Sequence, residues 1–352
     1  MSSGSIEERF PALATSPPAL AWLRMRADLG LAPRTLDAYA RGLSEYLTFC
    51  TECAVEPVEA GRDHIARFVR HLTERPSQRP TPGDPVPSPA RLANATVQQR
   101  LTAVRLFYEY LVEEGLRMVS PVGRGRRATV GRPGGGKRGL VPRQSRLPWI
   151  PDDQDWSAVL AAAAREPIRN RTMLAFAYDA GLRREELCSL RTDDIDPARR
   201  LLRVRAETTK SRRERVVPYS APSGELLRAY LAHRGELSHA RGPLFLSESR
   251  RNPAAPLTPW TWSKVVRRIA LAAGVPRFAT HTLRHLCLTD LARAGWEIHA
   301  IATFAGHRSP ETTMLYIHLS GRDLAAKLAS GMAHIHDRRV ALLAAAGLMA
   351  TP

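Results

Sequence analysis

The stretch THTLRHLCLTDLARAG, residues 280–295, has two different faces if it forms a helix. Thr280 is a typical N-cap, and His281, Arg284 and His285 follow at helical spacing i, i+3 and i+4, so they share one face near the helix start. The other side is rich in leucine, which predicts packing on a core. A guanidinium and two imidazoles beside free backbone N–H groups suit an anion such as phosphate.

The same face allows two other interpretations. His281 and His285 have the spacing of a helical metal pair, but H-T-L-R-H places Arg284 where a zinc hydrolase carries its glutamate base. A fixed cation opposes metal binding, and we therefore predict no metal site. A structural role, or a contact with a DNA backbone that involves no chemistry, is an alternative for this face taken alone.

A tyrosine follows a glycine-histidine pair in GHRSPETTMLYIH, residues 306–318. Ser309 and Pro310 predict the start of a helix, and Tyr316 then lies about two turns into it, with His307 in the preceding turn. A helical tyrosine is most often core or surface, so this segment alone does not define a site.

An arginine-glutamate pair occurs in AGLRREELCSL, residues 180–190. Arg183 comes just after a glycine that ends a helix, and Glu186 lies three residues later, where both side chains can face the same side. Such a pair is usually a surface ion pair.

A basic hairpin is predicted between these segments. LLRVRAE and RERVVPY alternate apolar and charged residues with the period of a strand that has one wet face, and TTKSRR joins them. Lys210 lies in this tip, and Arg212 and Arg213 stand beside it as further cations that could contact DNA.

Taken in order, these motifs resemble those of the tyrosine recombinases, also called the phage integrase family. The resemblance covers about residues 149–320, roughly half of the chain, and rests on AGLRREEL, TTKSRRERVVP, HTLRH and AGHRSPETTMLYIH. It implies a mainly α fold with a small β-sheet, in which a helical core-binding domain of SAM-like type and a mixed α/β catalytic domain form a clamp around DNA. It also implies site-specific cleavage and rejoining of DNA through a covalent 3′-phosphotyrosine, without metal, cofactor or ATP.

The resemblance implies a role for each matching residue. Two arginines would grip the scissile phosphate, two histidines would assist them, a hairpin lysine would protonate the leaving 5′-hydroxyl, and a tyrosine would be the nucleophile. An acidic residue and another histidine would support the site. In that order these residues are Arg183 and Arg284, His281 and His307, Lys210, Tyr316, Glu186 and His285. Because cations favour a phenolate, we expect the arginines and histidines to lower the pKa of the tyrosine.

The composition predicts a polyanionic partner. The chain has 352 residues and a formal net charge of +18, and basic side chains displace the counterions condensed on nucleic acid. No apolar segment is long enough to span a bilayer and no signal peptide is evident, so we predict no membrane association and a cytoplasmic, nucleoid-associated protein.

The four cysteines fit a reducing compartment, and the C-x-x-C of Cys50 and Cys53 fits apolar packing in a helix better than zinc.

The domain organisation follows from composition and helical periodicity. We predict a helical core-binding domain over residues 1–118, a basic linker over 119–148, a catalytic domain over 149–335 and a tail over 336–352 that could dock on a neighbouring protomer. GRPGGGK in the linker has P-loop spacing but lacks the following Ser or Thr, so we interpret it as a flexible tether. Linker residues predicted to contact DNA are Arg124, Arg126, Arg127, Lys137 and Arg138.

The partner implied by the resemblance is double-stranded DNA with inverted-repeat core sites. A homotetramer would bind this DNA, and a monomeric state of the protein in solution is compatible with that assembly. A type IB-like topoisomerase is the alternative enzyme, since it uses similar chemistry without strand exchange. A DNA-binding protein that does not cut is the alternative from another class, and a basic RNA-binding protein is a more distant one.

Overall fold

The structure is a computed structural model that describes residues 5–75, 92–122, 141, 147–209, 211–309, 311–319, 338–340 and 342. It divides into two compact units, residues 1–146 and 147–352. The proline-rich segment after residue 75, the arginines and lysine predicted to bind DNA from the linker, and most of the C-terminal tail lie outside the described residues. No described helix is long and apolar enough to cross a membrane.

The described part of the first unit is helical. Its helices are α1 (Ile6–Arg9), α2 (Pro11–Ala14), α3 (Pro17–Asp28), α4 (Pro33–Glu52), α5 (Arg62–Glu74) and α6 (Asn94–Glu113). Their shared core contains large aromatic side chains that are fully buried, among them Trp22, Tyr46, Phe68, Phe107 and Tyr108. The helices predicted from the 3.6-residue period are confirmed.

The cysteine pair of the first unit lies in and beside this core. Cys50 is buried, with its Sγ 3.6 Å from His64 Nε2, and Cys53 is partly buried. All four cysteines are free, and the described residues contain no group of three His, Cys, Asp or Glu side chains that could hold a metal ion. Both cysteines pack on this core, as predicted, with Cys50 inside α4 and Cys53 at its C-cap rather than within the helix.

The second unit adds a small sheet to eight helices within the described residues. The helices are α7 (Asp153–Ala163), α8 (Ile168–Asp179), α9 (Arg184–Cys188), α10 (Ala221–Leu237), α11 (Pro259–Ala272), α12 (Thr280–Arg293), α13 (Ile298–Ala305) and α14 (Glu311–Leu319). The strands are β1 (Ile195–Asp196), β2 (Leu201–Val204) and β3 (Arg215–Pro218). The mainly α fold with a small β-sheet is therefore confirmed.

The sheet is antiparallel in the order β1-β2-β3. The predicted hairpin is β2 and β3, with Leu202 paired to Val217 and both side chains buried. Strand β1 was not predicted, because two residues are too few to display a period of two. The register turns Arg215 to the same face as Val217, toward the core.

One predicted helix boundary is wrong. Helix α12 includes Thr280, and Ala279 is the N-cap instead. The backbone N–H of Ala279 donates to Thr282 Oγ1 over 3.0 Å, so the Thr282 hydroxyl, rather than that of Thr280, organises the helix start. By contrast, Ser309 accepts a hydrogen bond from the Glu311 N–H at 3.2 Å, which agrees with its predicted place at the start of α14.

Candidate active site

Arg284 lies at the centre of a polar cluster in the second unit. Its side chain is 4 % exposed, and its two terminal nitrogens donate to the carbonyl oxygens of Gly181 at 2.5 Å and Ala305 at 2.6 Å. Gly181 lies just after the end of α8, and Ala305 is the last residue of α13. One buried guanidinium thus joins the two turns that carry Arg183 and His307.

Both turns depend on glycine. Gly181 and Gly306 have φ values of +53° and +64°, in the left-handed region that other residues rarely adopt. A Cβ on Gly181 would lie 3.1 Å from a ring carbon of Phe304, and one on Gly306 would lie 3.1 Å from Nη1 of Arg215. Glycine therefore lets one turn pack closely on Phe304 and the other approach the guanidinium of Arg215.

The buried carboxylate of Glu186 pairs with two arginines, Arg183 and Arg215. Its carboxylate, 1 % exposed, accepts hydrogen bonds from the backbone N–H and Nη1 of Arg183 at 2.9 and 2.8 Å. It also accepts two from Arg215, at 2.7 and 3.2 Å. Burial alone would raise the pKa of Glu186, but these two guanidiniums outweigh it and hold the pKa at about 2.

Arg215 is a buried member of the cluster that the sequence analysis did not assign. Besides its two bonds to Glu186, its Nε donates to the carbonyl oxygen of Phe304 at 3.0 Å. Strand alternation could have indicated it, since a charge that shares the inward face of a strand with Val217 must be paired.

Tyr316 lies against two imidazoles. Its side chain is 3 % exposed, and its hydroxyl is 3.0 Å from Nδ1 of His285. Its ring stacks on that of His307 with centroids 6.0 Å apart and planes 8° apart. His307 in turn has Nε2 3.0 Å from Nη2 of Arg284 and Nδ1 2.8 Å from Oγ1 of Thr313.

The remaining predicted residues lie at the rim or outside the described chain. His281 is exposed one turn before His285, and its pKa is lowered because the surrounding protein displaces water. Arg212 and Arg213 are exposed at the hairpin tip. Lys210 lies outside the described residues, so the structure brings together every residue of the predicted catalytic set except this lysine and the rim residue His281.

Burial sets the ionisation states of two histidines and the tyrosine in the cluster. Burial lowers the pKa of His285 to about 4, with His281 and Arg284 adding to the effect. Burial also lowers the pKa of His307 to about 3, with three nearby arginines adding to it, so both imidazoles are neutral at pH 7. Burial also raises the pKa of Tyr316, although Arg284 and Arg183 act in the opposite direction. The arginines therefore favour the phenolate, as expected, but in the protein without DNA the loss of hydration outweighs them and the pKa of Tyr316 is raised.

The charges that persist at neutral pH leave the cluster positive. Burial lowers the pKa of Arg284 to about 10, which still keeps it protonated. Arg183 and Arg215 pair with the carboxylate of Glu186, and Arg284 adds a third guanidinium to the cluster, so these four side chains carry a net charge of two positive units. Such a site attracts an anion and stabilises additional negative charge on it.

Comparison with known proteins agrees with this arrangement. Residues 152–322 match the family model described as the phage integrase family, and residues 22–117 match the N-terminal SAM-like domain of phage integrases. Tyrosine recombinase XerC of Mycobacterium sp. strain KMS is 32 % identical over 235 residues, which cover 66 % of this chain and 74 % of that protein. The chain belongs to the phage integrase family. It is a tyrosine recombinase, as the sequence motifs predicted.

Other relatives of this recombinase extend the match over most of the chain. Tyrosine recombinase XerD of Caulobacter vibrioides is 27 % identical over 323 residues, covering 87 % of this chain and 92 % of that one. A lambda integrase dimer bound to a COC′ core site has the same fold, with a TM-score of 0.62 and 16 % identity over 85 % of this chain and 93 % of that one. XerH bound to a palindromic difH substrate gives a TM-score of 0.61 at 18 % identity, over 83 % and 79 % of the two chains.

The buried carboxylate of the recombinase gives a prediction for stability. Because the folded pKa of Glu186 is depressed from 4.5 to about 2, its contribution is complete above pH 4.5 and is lost as pH falls toward 2. We expect Glu186→Gln to lower the free energy of unfolding by about 3 kcal/mol at pH 7, with a difference about 1 kcal/mol smaller at pH 3.5. Urea unfolding at both pH values measures this.

The neighbouring residue supplies the control for that prediction. Glu185 is more exposed and pairs with Arg184 at 2.6 Å, so Glu185→Gln should cost less than about 1 kcal/mol. A Glu186→Gln protein as stable as the wild type, or a difference independent of pH, would contradict the buried ion-pair account.

Proposed function

We propose that this tyrosine recombinase cuts and rejoins double-stranded DNA at specific sites through a covalent link between Tyr316 and a 3′-phosphate. The observation that carries the proposal is the contact of one buried phenol with His285 and His307 in a cluster of net positive charge. A phosphodiester matches such a site, because one negative charge is shared by its two non-bridging oxygens and its phosphorus accepts a nucleophile.

Arg183 and Arg284 are proposed to hold the scissile phosphate. Each guanidinium is planar and permanently charged, and two of them from different segments can each pair with non-bridging oxygens. Arg183 is partly exposed while Arg284 is buried, so the phosphate would be held between a rim donor and a deep one. Negative charge on the phosphoryl group increases during attack, and two positive units in a site with little water then stabilise the transition state.

Tyr316 is proposed as the nucleophile. Its oxygen bonds to phosphorus while the bond from phosphorus to the 5′-oxygen breaks, which leaves a free 5′-hydroxyl end. The phenol must lose its proton, and Nδ1 of neutral His285 is an acceptor at 3.0 Å. The leaving 5′-oxygen must gain a proton, for which Lys210 on the hairpin is the proposed donor. The covalent ester retains the energy of the broken bond, so rejoining requires no ATP.

The proposed partner is duplex DNA that carries inverted-repeat core sites, with a homotetramer assembled on two duplexes. The support is the excess of positive charge and the DNA-bound state of the lambda integrase and XerH structures. The proposed domains remain residues 1–118 and 149–335, joined by the basic linker, with the tail of residues 336–352 docking on a neighbouring protomer. The proposed location is the cytoplasm, associated with the nucleoid.

A trapping experiment with a nicked suicide substrate tests this function. We expect a covalent protein–DNA adduct that forms equally well in excess EDTA, because the guanidiniums supply the positive charge that a metal ion supplies in other phosphoryl-transfer sites. Adduct is measured by denaturing gel, with a magnesium-dependent restriction enzyme in the same buffer as the control for chelation. Loss of adduct in EDTA would contradict the metal-free mechanism, and its absence throughout would favour a non-cleaving DNA-binding protein.

The alternative of a topoisomerase predicts a different product. The relatives of this chain by sequence and fold are named as recombinases and integrases, which favours strand exchange over relaxation alone. A plasmid with two inverted-repeat sites distinguishes the two activities. A recombinase yields inverted or excised products, while a topoisomerase relaxes supercoils without exchanging the sites.

A further inference from the structure

We propose that Thr313 is a positioning residue that controls which nitrogen of His307 carries the proton, and so couples the helix of the nucleophile to the phosphate-binding arginine. This inference rests on the proposed function and adds a residue to it. Thr313 lies on α14 one turn before Tyr316, and its side chain is fully buried.

The two hydrogen bonds of His307 define its tautomer in the protein without DNA. Nη2 of Arg284, which can only donate, is 3.0 Å from Nε2, so Nε2 must accept and carries no proton. The proton of the neutral ring is therefore on Nδ1, and it is donated to Oγ1 of Thr313 at 2.8 Å. The lowered pKa of His307, about 3, agrees with a neutral ring.

Binding of a phosphate calls for the opposite tautomer. When Arg284 turns a donor toward a phosphate oxygen, Nε2 loses its partner and can help the phosphate only by donating a proton of its own. The proton must then lie on Nε2, and Nδ1 becomes an acceptor. A threonine hydroxyl can accept a hydrogen bond in the first state and donate one in the second, which neither a carbonyl nor a carboxylate can do.

The position of Thr313 on α14 connects the tautomer of His307 to the nucleophile Tyr316. Thr313 and Tyr316 are three positions apart on one helix, and Tyr316 stacks on the same His307 ring with planes 8° apart. A displacement of α14 that frees the phenol would therefore also alter the bond to Nδ1. Thr313 links the placement of the nucleophile to the proton on His307.

The test compares variants at Thr313 with one at the adjacent Thr312, which is exposed. Thr313→Val keeps the shape and removes the hydroxyl, Thr313→Ser keeps the hydroxyl, and Thr312→Val makes the same chemical change at the surface. We expect Thr313→Val to slow single-turnover cleavage of a nicked substrate by about 10- to 100-fold, by analogy with the loss of outer hydrogen-bond partners from metal-binding histidines. Thr313→Ser and Thr312→Val should remain within about threefold of the wild type, and DNA affinity should change in none of them.

A second readout reports the proton directly. Nitrogen chemical shifts of His307 in the wild type without DNA should indicate protonated Nδ1 and unprotonated Nε2, and Thr313→Val should shift this pattern toward a mixture. Protonated Nε2 in the wild type would overturn the proposal even if a variant failed to fold. So would cleavage by folded Thr313→Val at the wild-type rate, or equal losses in the Val and Ser variants.

The two readouts separate this inference from the proposed function. If the wild type forms no adduct, the proposed cleavage chemistry fails, whereas the nitrogen shifts still report the tautomer. If the wild type cleaves normally but the Thr313 variants match it, only the role of Thr313 fails.

Discussion

Replacing Tyr316 by phenylalanine should abolish the covalent adduct on a nicked substrate while leaving DNA affinity nearly unchanged. The change removes one oxygen, the atom proposed to bond phosphorus, and loss of a nucleophile reduces turnover by at least about 1000-fold in comparable covalent mechanisms. The aromatic ring keeps its packing against His307, so the fold should persist. Adduct on a denaturing gel and affinity by gel shift are the two measurements.

A second tyrosine of the same unit provides the matched control. Tyr178 on α8 is partly buried, and its hydroxyl donates to Asp290 at 2.7 Å. Tyr178→Phe therefore makes the same chemical change outside the phosphate site, and it should leave adduct formation within about threefold of the wild type. An undiminished adduct in Tyr316→Phe would show that another residue attacks the DNA.

Arg284→Ala should reduce the rate of cleavage by about 100- to 1000-fold, the effect of removing one preorganised donor from a transition state. The variant should also be less stable, because the carbonyl oxygens of Gly181 and Ala305 lose their donor inside the protein. Single-turnover cleavage, measured where urea unfolding shows the variant to be folded, separates the two effects. The cleavage rate of Arg284→Lys should fall between those of the wild type and Arg284→Ala, because lysine keeps the positive charge but lacks the two-pronged guanidinium.

Arg293 on the same helix is the control for this series. It is exposed and pairs with Asp290 at 3.2 Å, so Arg293→Ala should change cleavage by less than about threefold. If Arg284→Ala cleaved at nearly the wild-type rate, the assignment of this guanidinium to the scissile phosphate would be incorrect.

Sequence patterns were sufficient to predict most helices and the hairpin, because these patterns depend only on residues that are close along the chain. Helices such as α6 and α12 have the 3.6-residue period and are followed by glycines at positive φ, Gly115 and Gly295. Strands β2 and β3 alternate inward and outward residues. The order of the four motifs was likewise sufficient to predict the family. These properties can be read from neighbours along the chain, without knowledge of long-range packing.

The rest of the site depends on contacts between distant residues. Arg215 is 29 residues from Glu186 in sequence, and only the fold shows that it is a second cation on that carboxylate. The protonated phenol is another example, because the balance between burial and nearby cations requires the depth of Tyr316. Thr313 was not recognised since a threonine within a helix has no distinctive spacing, and its hydrogen bond to His307 appears only in three dimensions.

Mass spectrometry of the trapped adduct would show whether the Tyr316 oxygen becomes bonded to DNA phosphorus. After nuclease and protease digestion, we expect a nucleotide attached through its 3′-phosphate to the peptide that contains Tyr316, together with a free 5′-hydroxyl on the other DNA end. A nucleotide on any other residue, or a 5′-phosphate linkage, would contradict this bond.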